Sequence, residues 1–135
     1  MTQQFLKSTL AILFILVPLS AWSARVGEPA PEFTGTDSNG QVHKLSDYKG
    51  KFVVLEWSNR GCPYTQKQYN SGNMEKLQQE WTAKGVVWLT VISSAPGKQG
   101  YVTGPEENAY LKQVNAAPTA VLFDPTGALG HPLRR

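Results

Sequence analysis

The sequence predicts one α/β domain with a parallel-core sheet, and three observations support this fold class. Three apolar, β-branched segments, at 52–58, 85–93 and 119–124, have the length and composition of buried strands. Helix-compatible segments lie between them, beginning at Pro63 and near Glu107. About 110 residues follow an N-terminal leader, enough for one small domain. Strands alternating with helices in such a chain are typical of a parallel sheet covered by helices.

The first residues predict a secretory signal. A short polar start with one lysine precedes an apolar run at 10–19, and small residues follow at Ser23 and Ala24. This order is typical of a leader cleaved after Ser23 or Ala24, and the run is short for a membrane span. An uncleaved anchor is the alternative. We therefore divide the chain into a signal over 1–23 and a domain over 24–135, and expect an exported protein, periplasmic or secreted, without a membrane span after the signal is removed.

Turn chemistry predicts the first elements of the domain. The Asp-Ser-Asn-Gly cluster within 34–45, with alternating flanks, indicates an N-terminal β-hairpin, and 46–51 reads as a second turn. The strand at 52–58 is apolar except for Glu56, so we expect a central strand covered on both faces.

The helices are predicted from their breaks and caps. Proline is well tolerated at the first helical position, so a helix begins at Pro63. The polar run at 70–73 interrupts it, which predicts a kinked or two-part helix ending near Gly85. A flexible loop is expected over 94–104. Thr103 and the glutamate three residues later have capping-box spacing, which predicts the start of a second helix before the last strand.

Charge and composition exclude several classes of function. The formal net charge is +3 and the basic residues are scattered, so we expect no nucleic-acid binding. His43 and His131 stand without a second residue at metal-ligand spacing, so we predict no metal. The Gly-Lys-Gln-Gly segment at 97–100 lacks the phosphate-loop pattern, which disfavours nucleotide binding.

Cys62 is the only cysteine, and it stands where the first strand should lead into a helix. Backbone N–H groups at a helix start favour the thiolate, which is the nucleophilic form of cysteine. Pro63 sets the helix start, Gly61 leaves one side uncovered, and Arg60 adds a nearby cation. We therefore predict that Cys62 is catalytic, with a thiol pKa below its ordinary range. The alternative is a small buried hydrophobic residue.

The neighbours of Cys62 predict a one-thiol site. Thr65 occupies the place where a two-cysteine redox motif carries its second thiol, and its hydroxyl can bond the thiolate or simply the backbone. An oxidised Cys62 must then be a sulfenic acid or a mixed disulfide, resolved by an external thiol or dithiol reductant. Asn59 can fix the loop by hydrogen bonds, and Tyr64 can cover the thiol or form a groove wall. Trp57 is expected in the core.

Long collinear segments resemble a known family. Residues 26–57 resemble the opening of thioredoxin-like redoxins of the alkyl hydroperoxide reductase/thiol-specific antioxidant type, and 56–78 are similar to an exported subgroup with a Cys-Pro-aromatic site. The segments 85–103 and 117–130 continue the likeness. The resemblance implies a thioredoxin fold, a catalytic cysteine at Cys62, and an antioxidant or redox activity on disulfides or peroxides without an organic cofactor.

The chain departs from this family in two respects. Peroxiredoxins place a threonine three residues before the peroxide-attacking cysteine, where this sequence has Asn59, and no distant arginine can be identified. In the family, a segment like 120–130 precedes a strand-strand-helix unit, whereas here only Gly-His-Pro-Leu-Arg-Arg remains, which reads as an unrelated tail. We therefore expect a truncated domain lacking that C-terminal unit, with an open sheet edge.

Three functions remain open from the sequence. The leading one is an exported oxidoreductase that uses the single cysteine to reduce a disulfide or a peroxide. The first alternative is a catalytically incompetent, truncated remnant or a binding module that folds against a partner. The second is a monothiol glutaredoxin-like protein, because Cys-Pro-Tyr-Thr resembles that motif with its second cysteine replaced.

Overall fold

The computed structural model describes residues 24–133, so the predicted signal over 1–23 lies outside the described part of the chain. The elements are, in chain order, β1 (Thr34–Asp37), β2 (Val42–Lys44), a 3₁₀ helix (Leu45–Tyr48), β3 (Val53–Trp57), α1 (Pro63–Asn70), α2 (Asn73–Ala83), β4 (Val87–Ile92), α3 (Gly104–Val114), β5 (Ala120–Phe123) and α4 (Gly130–Leu133). The predicted hairpin and the alternation of strands with helices are confirmed.

The strands form one mixed sheet in the order β2-β1-β5-β4-β3. β4 pairs in parallel with both β3 and β5, while β1 runs antiparallel to β2 and β5. The parallel core predicted from the sequence is therefore confirmed. The carboxyl ends of β3, β4 and β5 consequently meet at one edge of the sheet, and the loop that carries Cys62 leaves from β3 at this edge.

The main apolar cluster lies on one face of the sheet. Alternate residues of β4 point to this face, and Leu89 at its centre is fully buried. The buried apolar cluster comprises Phe33, Val87, Leu89, Val91, Ala120, Leu122 and Leu129. These residues anchor the strands whose carboxyl ends surround the cysteine loop.

β3 does not lie at the centre of the sheet, so that prediction is wrong for the described residues. Within 24–133 it pairs only with β4, and its residues are half-buried or exposed. Trp57, expected in the core, is 46% exposed, and Phe52 just before the strand is 85% exposed. An apolar run indicates a strand, but the order in which strands pair depends on contacts that are remote in sequence.

Glu56, the charged exception in β3, accepts hydrogen bonds on the face opposite the apolar core. The Tyr69 hydroxyl donates to Oε1 at 3.0 Å, and Gln78 Nε2 donates to Oε2 at 3.1 Å. Trp88 Nε1 and the Thr90 hydroxyl complete the set at 2.8 and 3.2 Å. Burial raises the pKa of Tyr69, so its hydroxyl remains a donor. These bonds tie α1 and α2 to the sheet, because buried polar groups need partners.

The helix that follows Cys62 is divided in two, as predicted. α1 ends at Asn70 and α2 begins at Asn73, with Gly72 between them at φ +70°. Glycine adopts this left-handed conformation without the strain that a side chain causes. α3 begins with the expected capping box, in which Thr103 N donates to Glu106 Oε2 at 2.7 Å.

The end of the described chain, interpreted from the sequence as a tail, forms a short helix up to Leu133. The buried Asp124 carboxylate accepts the N–H groups of Leu129 and Gly130, each at 3.0 Å, and this contact starts α4. Leu133 packs against the core. No helix within residues 24–133 is both long and apolar enough to cross a membrane.

Candidate active site

Cys62 is the N-cap residue of α1, with an extended backbone at φ −83° and ψ 125°, and its side chain is half-buried. The backbone N–H of Thr65 lowers the pKa of the thiol most, followed by the N–H of Tyr64. Partial burial opposes this effect, and the Thr65 hydroxyl adds to it. These are electrostatic contacts to the sulfur, since none has the full geometry of a cap hydrogen bond. The site therefore favours a reachable thiolate.

Arg60 is directed toward α3 rather than toward the sulfur. Its Nε donates to Glu107 Oε2 at 3.0 Å, its Nη2 forms an ion pair with the same carboxylate, and Nη2 also donates to Glu106 O at 3.2 Å. The guanidinium lies over the Tyr110 ring, 4.2 Å from the centroid. Arg60 is absent from the groups that shift the pKa of Cys62. The structure therefore gives Arg60 a tethering contact, not the electrostatic one expected from the sequence.

Asn59 holds the turn that precedes the cysteine. Its Oδ1 accepts the N–H of Gly61 at 2.8 Å, and its backbone carbonyl accepts the N–H of Cys62 at 2.9 Å. Its Nδ2 donates to the carbonyl of Gln99 at 3.3 Å. Asn59 thus connects the cysteine loop to the loop after β4.

Gly61 is covered on the side that the sequence suggested would be open. Gln99 Nε2 donates to the Gly61 carbonyl at 2.9 Å, and a Cβ placed on Gly61 would lie 2.6 Å from Gln99 Cγ. Sequence reasoning missed Gln99. The only signal was two glycines around it, Gly97 and Gly100, both with positive φ, which indicates a tight loop but names no contact.

The remaining predicted residues surround the start of α1. Tyr64 is 82% exposed and does not bury the sulfur. Trp57 Nε1 donates to the Ser93 hydroxyl at 3.2 Å, so the indole is held at the carboxyl ends of β3 and β4. Gln66 Nε2 donates to the Arg60 carbonyl at 2.8 Å and secures the loop from the helix side. Within 24–133, no three side chains of the metal-ligating types cluster together.

Comparisons with known proteins agree with this architecture. Residues 26–132 match the AhpC/TSA family. The chain is 30% identical over 105 residues to the thiol-disulfide oxidoreductase ResA of Geobacillus kaustophilus, covering 70% of this chain and 59% of ResA. It is 50% identical over 40 residues to peroxiredoxin-2 of Rattus norvegicus, covering 27% of this chain and 20% of that protein.

A solved structure gives the same result for the fold. The exposed lipoprotein thioredoxin Etrx1 of Streptococcus pneumoniae superposes with a TM-score of 0.51 at 27% identity, over 72% of this chain and 68% of that one. The chain spans less than two thirds of the length of the two curated relatives. The fold is thioredoxin-like, and the match over residues 26–132 shows that the chain belongs to the AhpC/TSA family.

Proposed function

We propose that this chain is an exported thiol oxidoreductase in which the Cys62 thiolate attacks a disulfide. The observation that carries the proposal is the position of Cys62 at the start of α1, half-buried, with the N–H groups of Thr65 and Tyr64 lowering its pKa. A lowered pKa raises the fraction of thiolate at neutral pH, and only the thiolate attacks a disulfide sulfur at a useful rate.

The chemistry proceeds through a mixed disulfide. The Cys62 thiolate attacks one substrate sulfur, a new S–S bond forms, and the second substrate sulfur leaves as a thiolate that takes a proton from water. Because the sequence has no second cysteine, an external dithiol resolves the intermediate. Its first thiolate attacks the substrate sulfur and releases Cys62, and its second thiolate then releases the substrate thiol and closes the reductant's own disulfide.

Peroxide reduction is the second candidate, favoured by the 40-residue similarity to peroxiredoxin-2. Cleaving a peroxide bond requires donors directed at both oxygens. Here the Arg60 guanidinium is engaged by Glu107, and the Asn59 amide is engaged by Gly61 and Gln99. The geometry therefore supports disulfide exchange better than peroxide reduction.

Intact-mass measurement separates these reactions. The purified chain is incubated in parallel with oxidised glutathione and with hydrogen peroxide at neutral pH. We expect rapid addition of one glutathione and slower addition of oxygen, with neither product in Cys62→Ser. A rate of glutathione addition no greater than that of free cysteine would contradict the proposal, and faster oxygen addition would favour peroxide reduction.

The two other hypotheses give different results. A partner-dependent binding module would give the circular dichroism spectrum of an unfolded chain when alone and of a folded chain with its partner, without accelerated thiol chemistry. A monothiol glutaredoxin-like protein would turn over with glutathione as its sole reductant, whereas the proposed enzyme works faster with a dithiol.

Export rests on the signal pattern over 1–23 and on the similarity to an exposed lipoprotein thioredoxin. Expression of the full chain in a bacterium, followed by fractionation and N-terminal sequencing, tests it. An exported protein beginning at Ala24 or Arg25 supports the proposal, and an intact chain confined to the cytosol contradicts it.

A further inference from the structure

Two loops meet beside Cys62, and each fixes the other through an amide side chain. Asn59 Nδ2, in the cysteine loop, donates to the Gln99 carbonyl at 3.3 Å. Gln99 Nε2, in the loop after β4, donates to the Gly61 carbonyl at 2.9 Å. We call the four residues Asn59, Gly61, Gln99 and Gly100 the loop junction.

Two glycines make this close contact possible. A Cβ on Gly61 would lie 2.6 Å from Gln99 Cγ, and a Cβ on Gly100 would overlap the Asn59 amide. Contacts below 3.0 Å are essentially never made by real Cβ atoms, so a side chain at either glycine would displace the amide opposite it. Each amide therefore lies over a glycine of the other loop, and the fit is reciprocal.

The junction controls the backbone directly before the sulfur. The Gly61 N–H donates to Asn59 Oδ1 at 2.8 Å, and the Gly61 carbonyl accepts a hydrogen bond from Gln99 Nε2. That carbonyl belongs to the peptide group between Gly61 and Cys62, so its orientation is coupled to the φ angle of Cys62. Together with ψ, this φ angle decides which χ1 rotamers the Cys62 side chain can adopt, and the rotamer places the sulfur relative to the first N–H groups of α1.

We propose that Gln99 is a positioning residue for Cys62: by holding the Gly61 carbonyl, its amide keeps the sulfur in front of the N–H groups of Thr65 and Tyr64. Gln99 does not itself bond the sulfur. The inference rests on the function proposed for Cys62, and it adds to that site a residue that lies 37 positions further along the chain. Gln99 is exposed, so a substitution there removes little apolar packing.

Gln99→Met is the principal test, because methionine has nearly the same length but no N–H donor. We expect the midpoint of the iodoacetamide labelling rate against pH to move to higher pH. The rate at pH 7 should fall by roughly three- to tenfold, because less thiolate is present. Lys98→Met is the matched control: its side chain is exposed in the same loop and is absent from the groups that shift the thiol.

Three further variants test whether methionine itself causes the effect. Gln99→Ala should reproduce the shifted profile without added bulk. Gly61→Ala should displace Gln99 and give a similar profile, and the double variant Gly61→Ala/Gln99→Ala should lose no further rate, because both changes break one contact. A role limited to stability would change the melting temperature but leave the pH profile of the folded protein in place.

The results separate this inference from the proposed function. If Gln99→Met and Gln99→Ala are folded and keep the wild-type pH profile, the positioning role is overturned while Cys62 can still be active. If wild-type Cys62 titrates in the ordinary thiol range and forms no mixed disulfide, the proposed function is overturned. The positioning role is then decided by whether the Gln99 variants still shift the labelling midpoint.

Discussion

At the start of α1, the Cys62 sulfur is attracted by peptide N–H groups, and the nearest cation in sequence, Arg60, is neutralised by Glu107. Peptide dipoles in a fixed backbone cannot move away or change protonation, as a side chain can. The thiolate is therefore favoured by the local backbone, and the contribution of any one side chain should be modest. Among the side chains that the structure describes, the Thr65 hydroxyl is the one group that lowers the pKa of the thiol, and its contribution is smaller than that of the backbone.

Thr65→Val tests how much the hydroxyl contributes to the lowered pKa of the Cys62 thiol. Valine keeps the shape and the backbone N–H, which is the larger cause of the lowered pKa, but removes the O–H donor. We expect the thiol pKa to rise but stay below its ordinary range, and labelling at pH 7 to slow by about two- to threefold. Thr65→Ser, which keeps the hydroxyl, should label like wild type. If Thr65→Val slowed labelling at pH 7 by more than about tenfold, the backbone N–H groups would not be the main cause of the lowered thiol pKa.

Among the elements, the β1–β2 hairpin is held by hydrogen bonds to the carboxylate of Asp37. Asp37 accepts the N–H groups of Asn39 and Gln41 at 2.9 and 2.8 Å, and His43 Nε2 contacts its Oδ2 at 3.0 Å. Burial opposes ionisation of Asp37, but these hydrogen bonds prevail and lower its pKa. The ionised form therefore stabilises the hairpin that forms one end of the sheet.

The stability of this hairpin should depend on pH in a defined direction. Because the pKa of Asp37 is lower in the folded state, its contribution is present above the unfolded pKa of about 3.9 and is lost as pH falls through the folded value. We expect Asp37→Asn to reduce the free energy of unfolding by about 1–2 kcal/mol at pH 7 and by much less near pH 3. Urea denaturation at both pH values measures this, and an equal loss at each would contradict it.

The elements themselves could be predicted because their signals are local. The Asp-Ser-Asn-Gly turn indicates the hairpin, the polar interruption indicates the break before Gly72, and Thr103 with Glu106 indicates the start of α3. The placement of β3 at the sheet edge could not be predicted, since it depends on which strands find partners. An apolar run like that of β3 is also typical of a central strand, so the run does not distinguish the two positions.

The candidate site was only partly predictable for a related reason. Cys62 at a helix start follows from the adjacent Pro63 and the preceding strand. The contact between Gln99 and Gly61 joins loops 38 residues apart, and no periodicity or spacing encodes it. The Arg60–Glu107 pair joins residues 47 positions apart. It turns the Arg60 guanidinium toward α3, whereas the sequence suggested a cation that acts on Cys62.

For the molecule as a whole, the sheet depends on β4, which pairs on both sides. Leu89 is fully buried in its centre and has Leu55 and Ala120 as register partners. We expect Leu89→Ala to lower the free energy of unfolding by about 2–5 kcal/mol, because it removes buried apolar contact and leaves a cavity. Val42→Ala, at a site 59% exposed, should change it by less than about 0.5 kcal/mol. Chemical denaturation measures both values, and a decrease in the free energy of unfolding of less than about 1 kcal/mol for Leu89→Ala would contradict this prediction.

The break at Gly72 has a consequence for how the thiol responds to its solution. α1 is eight residues long and separate from α2, so little long-range axial field reaches the sulfur from beyond Asn70. What remains is attraction at close contact, which dissolved ions screen less than they screen long-range interactions. Labelling profiles recorded in dilute buffer and in molar sodium chloride should therefore have nearly the same midpoint. A thiol held this way would stay ionised across a wide range of salt concentrations.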